Sequence, residues 1–269
     1  MNRDSVEKKH RKKTVLEAGS ITGTGDPVQI RIEILRRRNA SEPPYWQTFL
    51  YTPEDPSEVV ATALTRLNES EDLRDTEGKT APPIRWECSC LQKKCGACAM
   101  VINGKPGLAC DANLSDLGTV VRLEPLRKFP AIEDLMVDRS VLFRNLEEIR
   151  AWLSKEAEPS EKKNPTAHEA SRCLQCGCCL EICPNFMPEG SFFGMASMVP
   201  AARILTQLSE DARKTMSKDY KKHIYEGCGK SLSCRDICPA GIDIEELMSR
   251  SNAAAVWRSF RWKKRKGSV

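Results

Sequence analysis

The placement of thirteen cysteines constrains this 269-residue chain more than any other feature. They fall in two blocks, Cys88 to Cys110 and Cys173 to Cys238, with none between. An odd count leaves one thiol unpaired in any disulfide framework, and the two-residue spacings inside the blocks are those of metal ligands. Met1 to Lys13 is hydrophilic, with Asp4 and Glu7 among six Lys/Arg. It has neither the apolar stretch of a signal peptide nor the acid-poor character of a transit peptide. The thiols are therefore expected in a reducing cytoplasm, where disulfides are rare, and metal binding is the default reading.

In the first block Cys90, Cys95 and Cys98 stand in the order C-x4-C-x2-C, and Cys110 follows. This is the spacing of a plant-type 2Fe-2S ferredoxin. Such a loop presents three thiolates to one side of a cluster while a fourth arrives from a neighbouring segment. Gly96 supplies backbone conformations closed to bulkier residues, and the small Ala97 and Ala99 relieve crowding. Backbone amides of the loop can donate to cluster sulfur and raise the reduction potential. A four-cysteine zinc site competes, although zinc more often takes paired two-residue spacings. Cys88 is surplus to both schemes.

In the second block Cys173, Cys176, Cys179 and Cys183, followed by Pro184, spell C-x2-C-x2-C-x3-C-P, with Cys178 as an extra thiol. Cys228, Cys234, Cys238 and Pro239 repeat that frame, except that Ser231 replaces its second cysteine. In two-cluster ferredoxins the fourth cysteine of each run ligates the other cluster. Cys238 then completes a 4Fe-4S site with Cys173, Cys176 and Cys179. Cys183 crosses over to Cys228 and Cys234, and three thiolates match a 3Fe-4S cluster. The competing assignment has Ser231 or Cys178 supply a fourth ligand and retain a 4Fe-4S cluster, against serine's weaker preference for iron; Cys178 reads rather as buried packing.

The remaining sequence supports an α+β chain. Val28, Ile30, Ile32 and Ile34 alternate with polar residues as in a half-buried strand, and Tyr45 to Tyr51 is a second candidate. Val59, Val60, Ala63, Leu64 and Leu67 follow helical spacing, and a charged loop runs from Asn68 to Thr80. Ala99 to Ile102 leaves the cysteine loop as a strand, Asn103-Gly104 suits a hairpin turn, and Thr119 to Pro125 supplies a last strand. This is a β-grasp 2Fe-2S ferredoxin domain over residues 27–129, after a flexible basic N-terminus, 1–26. From Pro130 no strand is expected. Leu142, Leu146, Ile149 and Leu153 trace a helical stripe, and Ser191 to Leu208 and Glu210 to Tyr225 read as helices. Lys155 to Pro165 is a polar connection within an all-α two-cluster ferredoxin domain, 130–255, and a basic tail follows, 256–269.

The net charge of +5 is uneven: Arg258 to Lys266 holds six Lys/Arg and no acid, like the basic N-terminus. Such ends suit an anionic membrane surface or an acidic partner, but short charged tails are most often simply solvated. Nothing supports nucleic-acid binding. No stretch reaches the roughly 20 apolar residues of a membrane span. The three histidines, His10, His168 and His223, are not placed as a catalytic base, and there is no phosphate-binding glycine loop. His168 reads as a surface side chain, so no catalytic residue is expected.

One 2Fe-2S loop in a β-grasp domain, followed by a helical domain with the two runs above, resembles the iron-sulfur subunit of succinate dehydrogenases and fumarate reductases. The resemblance covers Val28 to Arg250 and extends beyond the cysteines, to Asn103-Gly104-Lys105-Pro106-Gly107-Leu108-Ala109-Cys110, to Leu123-Glu124-Pro125-Leu126, and to Ile132-Glu133-Asp134-Leu135-Met136-Val137-Asp138. It implies a subunit of an enzyme that carries none of the dicarboxylate chemistry itself. Electrons would pass between the FAD of a partner flavoprotein and membrane quinone. It further implies a membrane-anchor cytochrome b or other hydrophobic subunit, and a peripheral position on the cytoplasmic face of the cell membrane. Family members that reduce ubiquinone carry tryptophan and histidine where this chain has Pro188 and Gly229. The run Cys173 to Glu181 looks more like the bacterial menaquinone-linked branch.

Two rival readings fit the same residues. One is the iron-sulfur subunit of another flavin-linked dehydrogenase or of a thiol-dependent fumarate reductase, because the wire does not encode its donor. The other is a free-standing multicluster ferredoxin, against which the length and basic ends argue. Trp257, Phe260 and Trp262 are candidates for a subunit contact or for capping the helical core.

Overall fold

Alternating Ile30, Ile32 and Ile34 bury one face of strand β1 (Ile30–Arg36), and Phe49 and Tyr51 do the same for β2 (Tyr45–Tyr51), its antiparallel neighbour. The computed structural model describes residues 28–153, 164–205 and 207–257. Helix α1 (Val60–Glu69) turns Val60, Ala61, Ala63, Leu64 and Leu67 inward. Strands β3 (Ala99–Ile102) and β4 (Lys105–Leu108) form a hairpin whose turn residues, Asn103 and Gly104, have φ of 47° and 78°. Strand β5 (Val120–Glu124) pairs parallel to β1 and antiparallel to β3, giving the order β2-β1-β5-β3-β4. This is the expected sheet over one helix, and each boundary follows the burial pattern to within a few residues.

The expectation of no strand after Pro130 is corrected. Strands β6 (Ala131–Glu133) and β7 (Met136–Val137) form a second, two-stranded sheet. Its hydrogen bonds run back to the first domain: Asp134 N–H donates to Arg37 O and Leu135 N–H to Arg85 O. A short hairpin turning at Asp134, with φ of 44°, is invisible to periodicity because too few residues alternate.

Helices make up the rest. Helix α2 (Ser140–Glu148) stops before the expected stripe ends, so Ile149 caps it and Leu153 lies beyond. Helix α3 (Pro165–Ser171) has proline in its first turn and an Asn164 cap that accepts from Ala167 N–H. The four-residue α4 (Cys178–Glu181) follows. Helix α5 (Met195–Leu205) is buried almost all round and touches α2, α3 and α4 as well as the segments 210–220 and 244–252. It starts later than Ser191 because Gly194 takes φ of 68° with Leu180 packed where a Cβ would stand. Helix α6 (Glu210–Tyr220) runs on into a π-helical turn, Lys221–Tyr225. Helices α7 (Ser233–Asp236) and α8 (Ile244–Asn252) complete the domain, and a second π-helical turn spans Ala253–Trp257. Among the described residues no helix is long and apolar enough to cross a membrane. The basic N-terminus, most of the polar connection, and Phe260 and Trp262 in the tail lie outside the described residues. Trp257 is described and partly exposed.

Candidate iron-sulfur sites

Three left-handed residues shape the first cysteine loop: Leu91, Lys93 and Gly96, with φ of 52°, 59° and 75°. These turns bring backbone amides onto the sulfurs. Gln92 and Lys94 N–H each donate to Cys90 Sγ at 3.3 Å, and Lys93 N–H donates to Cys110 Sγ at 3.3 Å. Ala97 N–H reaches Cys95 Sγ at 3.5 Å. The amide donors hold the Cys90 thiol down at about 7, since donation favours the thiolate. Burial pushes the Cys98 thiol up to about 12. The β3–β4 hairpin brings Cys110 beside Cys98, with Ala109 N–H bonded to Cys98 O at 3.0 Å. Cys90 neighbours Cys95, and Cys98 neighbours Cys110 as well as Cys95. Cys88 is exposed outside the loop.

The second block builds two similar turns. Gln175 and Gly177 have φ of 51° and 89°, and α4 begins directly after Gly177. Lys230 and Leu232 have φ of 55° and 58°, and α7 begins directly after Leu232. The two runs therefore share one backbone design, in which Ser231 takes the place of Cys176 and Ser233 that of Cys178. The internal repeat read from spacing is a repeat of conformation as well.

The second-block thiols gather in two neighbourhoods. Cys173, Cys176, Cys179 and Cys238 line one cavity whose walls are otherwise mainly apolar, with Leu174, Met195, Val199, Ile242 and Ile244 among them. Burial and then the neighbouring Cys176 and Cys173 push the Cys179 thiol well above its usual range. Cys183 instead stands near Cys234: after burial, Cys183 and then Cys228 hold the Cys234 thiol up at about 11. Asn185, just past Cys183, donates to Gly227 O at 2.8 Å and stitches the crossed segments together.

The alternative fourth ligands fare differently. Cys178 is fully buried against Cys176, within the electrostatic reach of Cys179 and Cys238, and so belongs to the first group's side. Ser231 is exposed, and its hydroxyl lies 3.5 Å from Ser233 Oγ.

All thirteen cysteines are free thiols. Among the described residues no three His, Cys, Asp or Glu side chains are gathered tightly enough for a single metal ion. The donor sets nevertheless suit polynuclear clusters. They are all-sulfur, one of them encloses a mainly apolar cavity, and the first is met by backbone amides.

Sequence reasoning missed several residues that support these loops. Gln175 donates from Nε2 to Cys173 Sγ at 3.2 Å and to Ala196 O at 2.9 Å. Lys128, from the segment after β5, donates from Nζ to Phe186 O at 3.1 Å and to Cys183 O. Arg139 bonds to both cysteine blocks. Their partners are mostly backbone carbonyls, which leave no trace in sequence. His168 sits beside a surface pocket, whereas His223 is buried, stacked on Phe193, with Nδ1 2.8 Å from Ser191 O.

Comparison with known proteins places an iron-sulfur domain over each cysteine block. A family model for a 2Fe-2S iron-sulfur cluster binding domain matches residues 30–144, and one for a 4Fe-4S dicluster domain matches residues 169–242. The succinate dehydrogenase iron-sulfur subunit of Bacillus subtilis is 33% identical over 244 residues, covering 86% of this chain and 94% of that one. The fumarate reductase iron-sulfur subunit of Haemophilus influenzae is 31% identical, covering 72% and 85%. A chain of the Sdh1 complex of Mycobacterium smegmatis in the apo form superposes with a TM-score of 0.69 at 23% identity, covering 86% of this chain and 97% of that one, and so shares the fold.

Proposed function

The chain belongs to the family of succinate dehydrogenase and fumarate reductase iron-sulfur subunits, and from that premise we propose how its residues divide the work of an electron wire. Cys90, Cys95, Cys98 and Cys110 would hold a 2Fe-2S cluster. Cys173, Cys176, Cys179 and Cys238 hold a 4Fe-4S cluster, and Cys183, Cys228 and Cys234 hold a 3Fe-4S cluster. Bound clusters of this kind take up and release single electrons at their iron-sulfur core. The protein's part is to fix the thiolates, to donate amide hydrogen bonds to sulfur, and to keep water from the second site behind Met195, Val199, Ile242 and Ile244.

The observation that carries the reading is the crossed grouping of Cys238 with Cys173, Cys176 and Cys179, and of Cys183 with Cys234 and Cys228. It gives one group four thiols and the other three, because Ser231 stands where the repeat calls for cysteine. The partners of this reading are an FAD-containing flavoprotein, a membrane-anchor subunit and a quinone, with menaquinone favoured by Pro188 and Gly229. The chain then works as the non-flavin subunit of the enzyme at the cytoplasmic face of the membrane, held there through its partners.

Low-temperature electron paramagnetic resonance on the anaerobically purified complex tests it. An oxidised 3Fe-4S signal as isolated, reduced 2Fe-2S and 4Fe-4S signals after dithionite, and partial reduction by succinate are the expected results. Absence of the 3Fe-4S signal in oxygen-free samples sinks the Ser231 argument. A co-purifying flavoprotein without succinate or fumarate activity transfers the chain to another flavin-linked enzyme.

A further inference from the structure

Arg139 caps α2 and reaches back across the junction between the two cysteine blocks. Its side chain is 14% exposed and pairs with Glu87. Nη1 donates to Gly96 O at 2.9 Å, Nη2 to Ala97 O at 2.9 Å, and Nη1 lies 3.5 Å from Cys176 O. Gly96 and Ala97 lie between Cys95 and Cys98, and Cys176 belongs to the second block. One cation thus binds the backbone of two ligand loops at once.

The loops also touch directly. A Cβ on Gly96 would stand 2.8 Å from Leu174 O and 2.9 Å from Cys176 Cβ. The guanidinium is the group suited to this place, because its planar fork can serve several carbonyls in fixed directions while remaining charged. On the same loop the Ala97 amide faces Cys95 Sγ at 3.5 Å.

We propose that Arg139 is a positioning residue that locks the 2Fe-2S loop against Cys176 and, through its charge, favours the reduced state of both adjoining clusters, with Glu87 limiting the effect. The proposal rests on the ligand assignment above. A cluster gains negative charge on reduction, so a half-desolvated cation nearby raises its midpoint potential and a nearby carboxylate lowers it.

The test compares the purified complex carrying the wild-type chain with complexes carrying Arg139→Gln, Arg139→Lys and Glu87→Gln. Iron content and integrated resonance signals report cluster loading, and redox titration reports each midpoint. Arg139→Gln should lower the 2Fe-2S and 4Fe-4S midpoints and spare the 3Fe-4S midpoint, whereas Glu87→Gln should raise the same two. Arg139→Lys should keep the midpoints near wild type but weaken the magnetic interaction between the two reduced clusters, since charge stays and the fork is lost. Loaded clusters with unmoved midpoints in the Gln variants overturn the proposal alone, and an unchanged magnetic interaction in the Lys variant overturns the positioning half. If Arg139→Gln does not assemble, Glu87→Gln decides by itself: a rise supports the proposal, and no shift or a fall overturns it. A wild-type spectrum lacking either signal overturns the ligand assignment and this proposal with it.

Discussion

Arg36 and Asp134 form an ion pair in the interior, with 2.9 Å between Nη2 and Oδ2 and side chains 2% and 3% exposed. It ties β1 to the β6–β7 hairpin. Asp134 also accepts from the Arg37 and Arg85 amides, both at 2.9 Å. Removing the carboxylate leaves the buried guanidinium, which also donates to Gln47 Oε1 and to the Pro82 and Pro83 carbonyls, without a counter-charge. Asp134→Ala should therefore cost about 3–5 kcal/mol, read as a lower denaturant midpoint for bleaching of the 2Fe-2S chromophore. A change under about 1 kcal/mol contradicts this account.

Gly96 tolerates no side chain on two counts. Its φ of 75° is left-handed, which alone costs an L-residue about 1–2 kcal/mol. The added methyl would also meet Leu174 O and Cys176 Cβ, inside van der Waals contact. Gly96→Ala should reduce loading of the 2Fe-2S and 4Fe-4S sites together while Gly78→Ala, with open space around its Cβ, leaves both loaded. Iron analysis and absorbance separate the two outcomes.

Ser231→Cys should convert the third cluster. The backbone at Lys230 and Leu232 already matches that at Gln175 and Gly177, so a thiol at 231 is offered as Cys176 offers its own. The oxidised 3Fe-4S resonance should disappear and a second reduced 4Fe-4S signal should appear. Persistence of the original signal in a fully loaded variant contradicts the equivalence of the two turns.

Tyr51 predicts an alkaline limit to stability. Burial, followed by its hydrogen bond to Glu58, pushes its hydroxyl up to about 12. The folded value exceeds the unfolded one, so this contribution is fully present below about pH 10 and is lost as pH rises towards 12. Tyr51→Phe should flatten that part of the profile of denaturant midpoint against pH. An identical alkaline fall in both proteins assigns the loss to other groups.

The ligand loops were legible because their information is local. A left-handed turn between cysteines, a hairpin at Asn103-Gly104 and an alternating Ile30-Ile32-Ile34 strand are each set by neighbours in sequence. The β6–β7 hairpin was not legible, because its few residues are held by Arg36, Arg37 and Arg85, far away along the chain. The late start of α5 escaped for a similar reason: Leu180 packs where a Cβ on Gly194 would stand.

The cysteine spacing by itself determined the kind of chemistry and the place of Ser231 where the repeated frame calls for cysteine, because thiolate count and loop length limit what each turn can hold. Tertiary structure alone decided on which side the surplus thiol lies, with Cys178 buried beside Cys176. It also brought Arg139 between Gly96 and Cys176, and Lys128 onto Cys183. Those cations bind backbone carbonyls, and every residue has one. Only the folded chain selects which carbonyls converge.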